Sequence, residues 1–484
     1  MTRSGLVHRG VVGGPWAHDG SFRGDAMART RHDIATVSLG KVADAETQAW
    51  HPVLDTYARG VELMRALPAE DPESWQWAAN THGVPVGTPL RPAWGQCAHA
   101  SLFFLPWHRA YLAWFEGTIR KLTGDDGWGL PYWDYSDPDN PDAVFLPAEF
   151  RVPTRVVDGE AVPNPLFDPA RNEGPIPGED IDIVQALAER RFVGGVPDVG
   201  FGGTDRDRRF GDVESTPHNW VHVDIAGLME SPATAGQDPI FWLHHANIDR
   251  LWEVWLSLPG SLRLTDPGGG SAFLVTQWQS AIFWFGSEQS PSTYTMDDVE
   301  DLSSVKMGYE YESIELPEAS AEAIAAAREP VPVGGSGFPL DEAQARWEPV
   351  AASFNLDSNE ERDLTFHATP RGLDEAPPTR LVLEFAGVRA VVPHAAYVVE
   401  VRSAPDAEPH RAGRFATFGL AGTPPEEERN YLVDATEVLP DLVAEGWTGG
   451  QLSVKLVPEE GRPDSDDPDR AIHVQQVTVY AQTS

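Results

Sequence analysis

Six histidines in two groups carry most of the chemical information in this chain: His82, His99 and His108, then His218, His222 and His245. Three neutral imidazoles can hold one transition-metal ion and leave a position open for a small molecule. Two such triads point to a pair of metal ions. His218 and His222 are four apart, so on a helix both rings leave one face and can meet one ion. Pro217, directly before them, suits a helix N-terminus. His244 adjoins His245, and neighbours on a helix point about 100° apart, so only one of them is expected to face the metal. Asn247 and Asp249 lie within the next turn and are candidates to orient ligand rings by hydrogen bonding, with packing or capping as the alternative.

The elements that must position these residues can be read from apolar spacing. Between Ala45 and Leu67, Trp50, Val53, Leu54, Tyr57, Val61 and Met64 recur at three and four, which predicts a helix ended by Pro68. Trp107 to Leu122 repeats the pattern with Gly124 as a stop, placing His108 at a helix start. His245 precedes the stripe Ile248, Leu251, Trp252, Trp255. Residues 131–180 are dense in Pro, Asp, Asn and Gly and read as a long surface connection, after which helical spacing resumes at 181–191. The expected fold is multidomain. A mainly α-helical bundle over residues 1–300, with an N-terminal arm at 1–37, carries the metals between its helices. Residues 301–350 hold a Tyr309-Glu-Tyr311 segment and a linker that includes the Ala-rich run to Ala327 and the Pro- and Gly-rich stretch 330–337. Residues 351–484 alternate apolar and polar positions in Leu381–Phe385, Tyr397–Val401, Gln451–Leu456 and Val474–Tyr480, the pattern of an antiparallel β-sandwich.

With 484 residues, at least two domains are expected; 41% hydrophobic residues and 17 Trp provide for a packed core. The formal charge of -38 argues against nucleic acid and anionic membranes as partners and favours small neutral or cationic substrates. One cysteine excludes an intramolecular disulfide framework. With no signal-peptide stretch in the first fifty residues and no apolar run of the ~18 to 20 residues a membrane span requires, a cytoplasmic protein is expected, non-classical export being left open.

The run Cys97-Ala-His99 to Trp107-His108-Arg-Ala-Tyr-Leu, with His218-Asn-Trp-Val-His222 and Asp238-Pro-Ile-Phe to His245-Ala-Asn-Ile-Asp249, closely resembles the copper-A and copper-B signatures of the tyrosinase and polyphenol oxidase family. The resemblance implies two copper ions, with O2 as co-substrate and small phenols and catechols as substrates. A copper chaperone is a candidate delivery partner, and the sequence identifies neither it nor an oligomeric state. It selects His245 as ligand and leaves His244 beside it in a supporting position. It further implies a thioether from Cys97 to His99, the alternative being an inert buried thiol. Glu214 and Asn219 match a plant-type pair that holds a water able to take a phenol's proton, so hydroxylation of monophenols is expected beside oxidation of diphenols. The bland alternative is a helix N-terminal acid and a solvent-facing amide. Counting thirteen back from His245 reaches Pro232, where a bulky Phe would narrow the entrance, so an open entrance is expected. Thr30-Arg31-His-Asp-Ile resembles the family's entry segment. Tyr309 and Tyr311 could receive Arg31 in a cation–π contact or simply pack. The C-terminal region resembles the plant enzymes' C-terminal domain, which implies a lid. Three alternatives stand: a catechol or ortho-aminophenol oxidase with little monophenol activity, an O2 carrier of the hemocyanin kind, and a zinc hydrolase. The last is disfavoured because Asn219 stands where a metallopeptidase would carry its Glu.

Overall fold

The structure, a computed structural model, describes residues 28–328 apart from 86, 196–198 and 205–207. It also describes 348–482 apart from 358–360, 366–377, 391–395, 405, 421–427, 448–450 and 460–471. The stretch 330–337, expected to be a linker, and most of the N-terminal arm lie outside the described residues.

The helices fall where apolar spacing demands them. The stripe from Leu54 to Met64 is buried in α1 (Pro52–Ala66), which starts at Pro52 because its ring fixes a helical φ. A separate short helix, Val42–Thr47, replaces the start expected at Ala45. Helix α2 (Trp75–His82) is capped by the Ser74 hydroxyl, which accepts from the Trp77 N–H. Helix α3 (Phe104–Thr123) is buried along most of its length and stops at Gly124, whose φ of +75° is open to glycine without strain. It starts one turn earlier than the sequence predicts, so His108 is inside the helix, on its second turn. Helix α4 (Val184–Ala188) is the short remnant of the helical spacing at 181–191. Helix α5 (Trp220–Ile225) follows a cis Thr216–Pro217 bond and a wide turn over Glu214–Asn219. Helix α6 (Pro239–Ser257) is capped by Asp238, whose carboxylate accepts from Ile240 N–H and is gripped by buried Arg171. Phe115 of α3 stacks on Trp242 of α6 at 3.5 Å between centroids, a pairing worth about 1 kcal/mol beyond area burial.

Two regions depart from expectation. Residues 131–180 do not run over the surface: Tyr132, Trp133 and Tyr135 are buried, and Trp133 donates its indole N–H to the Ala143 carbonyl. A two-stranded hairpin (Thr154–Val157 with Glu160–Pro163) sits within this stretch. The Ala-rich run is a helix, α7 (Glu318–Arg328), consistent with Ala's top helix propensity. Arg328 fixes it to the core by donating to the carbonyls of Leu187, Glu189 and Pro259.

The segments before and after the helical core meet in a parallel pair, β1 (Arg29–Arg31) with β2 (Tyr309–Tyr311). Arg31 is buried there, 3.5 Å above the Tyr309 ring, paired with Glu116 at 2.9 Å and Asp249 at 3.2 Å. The cation–π contact is therefore present, and it is reinforced by ions. Beyond residue 348 the chain is strand-rich. One four-stranded antiparallel sheet contains β3 (Glu348–Asp357), β5 (Arg380–Ala390), β8 (Arg429–Asp434) and β10 (Ile472–Gln482). The other contains β4 (Glu361–Thr365), β6 (Ala396–Arg402), β7 (His410–Ala416) and β9 (Gln451–Pro458). Alternate residues of both sheets, among them Leu383, Phe385, Val399, Val401, Val454 and Val477, share one apolar cluster.

Candidate metal centre

All six predicted histidines converge between α2, α3, α5 and α6. One ligand atom from each of His82, Cys97, His99 and His108 lies within 4.8 Å of the others; the same holds for His218, His222, His244 and His245. The two groups adjoin. The His108 and His245 rings stack at 4.3 Å and 10°, and His99 and His218 are 5.5 Å apart.

Four of the six rings, those of His82, His108, His218 and His222, are held through Nδ1 so that Nε2 is left inward. Nδ1 of His82 bonds the Pro232 carbonyl at 2.8 Å, Nδ1 of His108 the Phe104 carbonyl at 2.8 Å, and Nδ1 of His222 the Met229 carbonyl at 2.8 Å. A carbonyl can only accept, so in these three the proton sits on Nδ1 and Nε2 is the free donor to a metal. Nδ1 of His218 meets Oδ1 of Asn219 at 2.9 Å. Nε2 of His82 and of His218 are buried with no hydrogen-bond partner, and His222 Nε2 faces His245 Nε2 at 3.4 Å. Buried nitrogens left without protein partners, and lone pairs pointed at one another, are what a metal ion resolves. Burial lowers all of these rings below the usual histidine range, His82 to about 4 and His218 to about 3, and neighbouring imidazoles lower every one of them but His82 further. The donor set is thus neutral at physiological pH. Neutral imidazoles, with a thiol beside them, suit copper.

Close packing makes the placement local and strict. Gly83 ends α2 where any Cβ would stand 2.3 Å from the Pro232 carbonyl oxygen, so the residue after His82 has no room for a side chain. His99 lies on a loop instead of a helix. Its neighbour there is Cys97, whose Sγ is 3.4 Å from His99 Nδ1 and also 3.3 Å from His108 Nε2.

His244, expected to point away, also reaches the second group: its ring is 4.9 Å from His222, while its Nδ1 meets the Tyr135 hydroxyl at 3.2 Å. Asp249 orients no imidazole. It takes Arg31, Arg109 and the hydroxyls of Tyr309 (2.6 Å) and Tyr311, and by holding Arg109 it fastens the helix of His108 to that of His245. Asn247 accepts weakly from Arg250 and borders Tyr135, also without touching a ligand ring. Glu214 is buried: Oε1 accepts from Ala100 N–H at 2.8 Å, Oε2 has no partner among the described residues, and burial raises its pKa well above the usual carboxylate range. Asn219 is buried as well, and not solvent-facing.

The sequence gives no hint of Phe418. It stacks on the His222 ring at 4.0 Å and 17°, and meets His99 and His218 edge-on at 5.6 Å each. A tight turn after β7 presents it: Leu420 N–H donates to the Thr417 carbonyl, and Gly419 takes the left-handed φ of +81° that the turn requires. At Pro232, where no bulky ring is expected, the chain instead holds His82 through a carbonyl, and the large ring beside the histidines comes from Phe418.

A family profile described as the common central domain of tyrosinase matches residues 72–196 and 198–258. "Tyrosinase HcTyr1" of Hahella sp. (strain CCB-MM4) is 29% identical over 89% of this chain and 97% of its own length. "Polyphenol oxidase, chloroplastic" of Vitis vinifera is 32% identical over 54% of this chain, which spans only 46% of that relative. Among solved structures, "Latent aurone synthase (polyphenol oxidase) from natural source" has the same fold, with a TM-score of 0.55 at 21% identity, over 96% of this chain and 91% of that one. The expectation of a cytoplasmic protein is corrected by these relatives, since the grape protein is by name chloroplastic. No helix among the described residues is long and apolar enough to cross a membrane.

Proposed function

We propose that this dicopper oxidase of the tyrosinase and polyphenol oxidase kind ortho-hydroxylates small phenols and oxidises the resulting ortho-diphenols to ortho-quinones, using O2. The observation that carries the reading is the meeting of two buried, neutral imidazole nests, His82, His99 and His108 against His218, His222 and His245. We take His245 over His244 as the third ligand of the second nest, because its Nε2 lies 3.4 Å from that of His222 and its ring stacks on His108 of the first nest. When bound, the two coppers supply one electron each, so O2 can be reduced in a single encounter. Around them the chain's own groups bind and deprotonate the phenol. Glu214, its Oε2 uncommitted and its basicity raised by burial, takes the phenolic proton through an ordered water, and the Asn219 amide shares that water while its oxygen fixes His218. Cys97 restrains the loop ligand His99 through a thioether.

The two C-terminal sheets form a β-sandwich that acts as a lid over residues 1–300, with Phe418 as the ring a substrate must displace. Cleavage between residues 328 and 348 then raises activity; an unchanged rate in the trimmed protein refutes the lid. The covered mouth also favours a second reading, a carrier that admits O2 and no phenol. Copper-loaded, trimmed protein offered tyrosine, a simple phenol, a catechol and an ortho-aminophenol separates the readings. Quinone from phenol and catechol supports the proposal, quinone from catechol or coloured product from aminophenol alone restricts it to a diphenol-type oxidase, and no turnover leaves the carrier.

A further inference from the structure

Between the helical core and the C-terminal sheets lies a cleft of about 250 Å³ whose lining shares Asn219 with the dicopper site and otherwise lies outside it. Asp182 and Asp212 line it from the core and Asp434 from β8, with Glu179 also in the lining. The guanidinium in its lining belongs to Arg414, which is already engaged: it pairs with Asp180, Glu459 and the lining residue Glu179 and lies 4.1 Å over the Trp220 ring. Asp434 pairs with Arg380 at 3.1 Å, so Asp182 and Asp212 supply the rest of the negative charge facing the cleft. Aromatic faces complete the walls, Phe210 and Phe415 flanking Tyr431 at 5.3 and 4.4 Å. The Tyr431 hydroxyl is buried and has no hydrogen-bond partner among the described residues. Carboxylates beside aromatic faces attract an organic cation by Coulomb and cation–π terms together, and repel an anion. The volume falls just below that of drug-sized pockets, which fits a ligand with one ring.

We propose that this cleft binds a small aromatic ammonium ion of the arylethylamine class, and that the bound ion braces the C-terminal sheets against the core. Both walls contribute, so the ligand binds the docked arrangement and stabilises it by mass action. Phe418 follows Arg414 by four residues on the same strand and turn, so a braced seam keeps the ring over the coppers. This bracing effect rests on the lid reading; the binding itself does not.

The test uses copper-free full-length protein titrated calorimetrically with phenethylammonium, which cannot be oxidised as a phenol, and with phenylacetate as its anionic counterpart. Phenethylammonium is expected to saturate at one per chain while phenylacetate does not bind. Asp182→Asn and Asp434→Asn, which keep their hydrogen-bond acceptors, are each expected to weaken binding about threefold. On copper-loaded protein, phenethylammonium is expected to lower catechol kcat without raising KM. Absence of saturable binding, equal binding of phenylacetate, or indifference to both substitutions overturns the site. Binding without a fall in kcat overturns the brace. A loaded enzyme that turns over no catechol refutes the oxidase reading and leaves the calorimetric result standing.

Discussion

The two halves of the metal centre are built differently. The first takes one ring from a helix end, one from a loop and one from inside a helix, and its loop ligand His99 has a sulfur beside it. The second takes every ring from α5, α6 and the turn leading into α5, and the groups that could handle a substrate gather there: Glu214, Asn219 and the stacked Phe418. Two helices and the hydrogen-bonded turn before α5 hold the second half, whereas the first must restrain a loop residue locally. We read the first half as the anchor and the second as the half that receives the phenol.

That contrast can be broken in graded ways. His108→Ala and His218→Ala each remove one nest, and both should reduce copper from two atoms to one per chain and abolish quinone formation; metal analysis beside a catechol assay checks this. Asp249→Asn leaves Arg31 and Arg109 buried with less than their full counter-charge and loosens both halves together. It should cost about 3–5 kcal/mol in chemical denaturation. Asn219→Gly acts on the second half alone, lowering the monophenol rate by about ten- to a hundredfold and the diphenol rate less; Asn219→Asp should restore the orientation of His218, and equal losses on both substrates refute the water-holding role. Phe418→Ala removes a ring contact worth about 0.5–1.5 kcal/mol, so untrimmed protein should gain roughly two- to tenfold in catechol turnover.

The smallest effect concerns pH. The site imidazoles have folded pKa values below the ordinary 6.5, so the unfolded chain binds more protons and stability rises with pH. Metal-free protein should therefore lose stability as pH falls below about 6.5, the loss growing down to the folded values of about 3 to 4; denaturation midpoints at pH 7 and pH 5 measure it.

The ligands were legible because helical spacing and the Asp238-to-Asp249 motif constrain them in one dimension. What stayed hidden depends on distant pairing. Phe418 is one apolar residue in a turn, and nothing local marks it as reaching 4.0 Å from His222. Asp249 looked like a ligand-orienting carboxylate, but its partners Arg31, Tyr309 and Tyr311 come from other elements, 218, 60 and 62 residues away in sequence. The Ala-rich run passed for a linker because the contacts that fix it, those of Arg328, bind carbonyls that no sequence pattern displays. Turn-forming composition at 131–180 hid buried aromatics whose polar tips find main-chain partners.

The parallel pairing of Arg29–Arg31 with Tyr309–Tyr311 joins the two ends of the copper-binding half like a buckle. A break on the C-terminal side of Tyr311 leaves this pair intact, whereas one before Tyr309, or removal of Arg31, unfastens the same buckle from either side and exposes the ionic knot between the two copper nests.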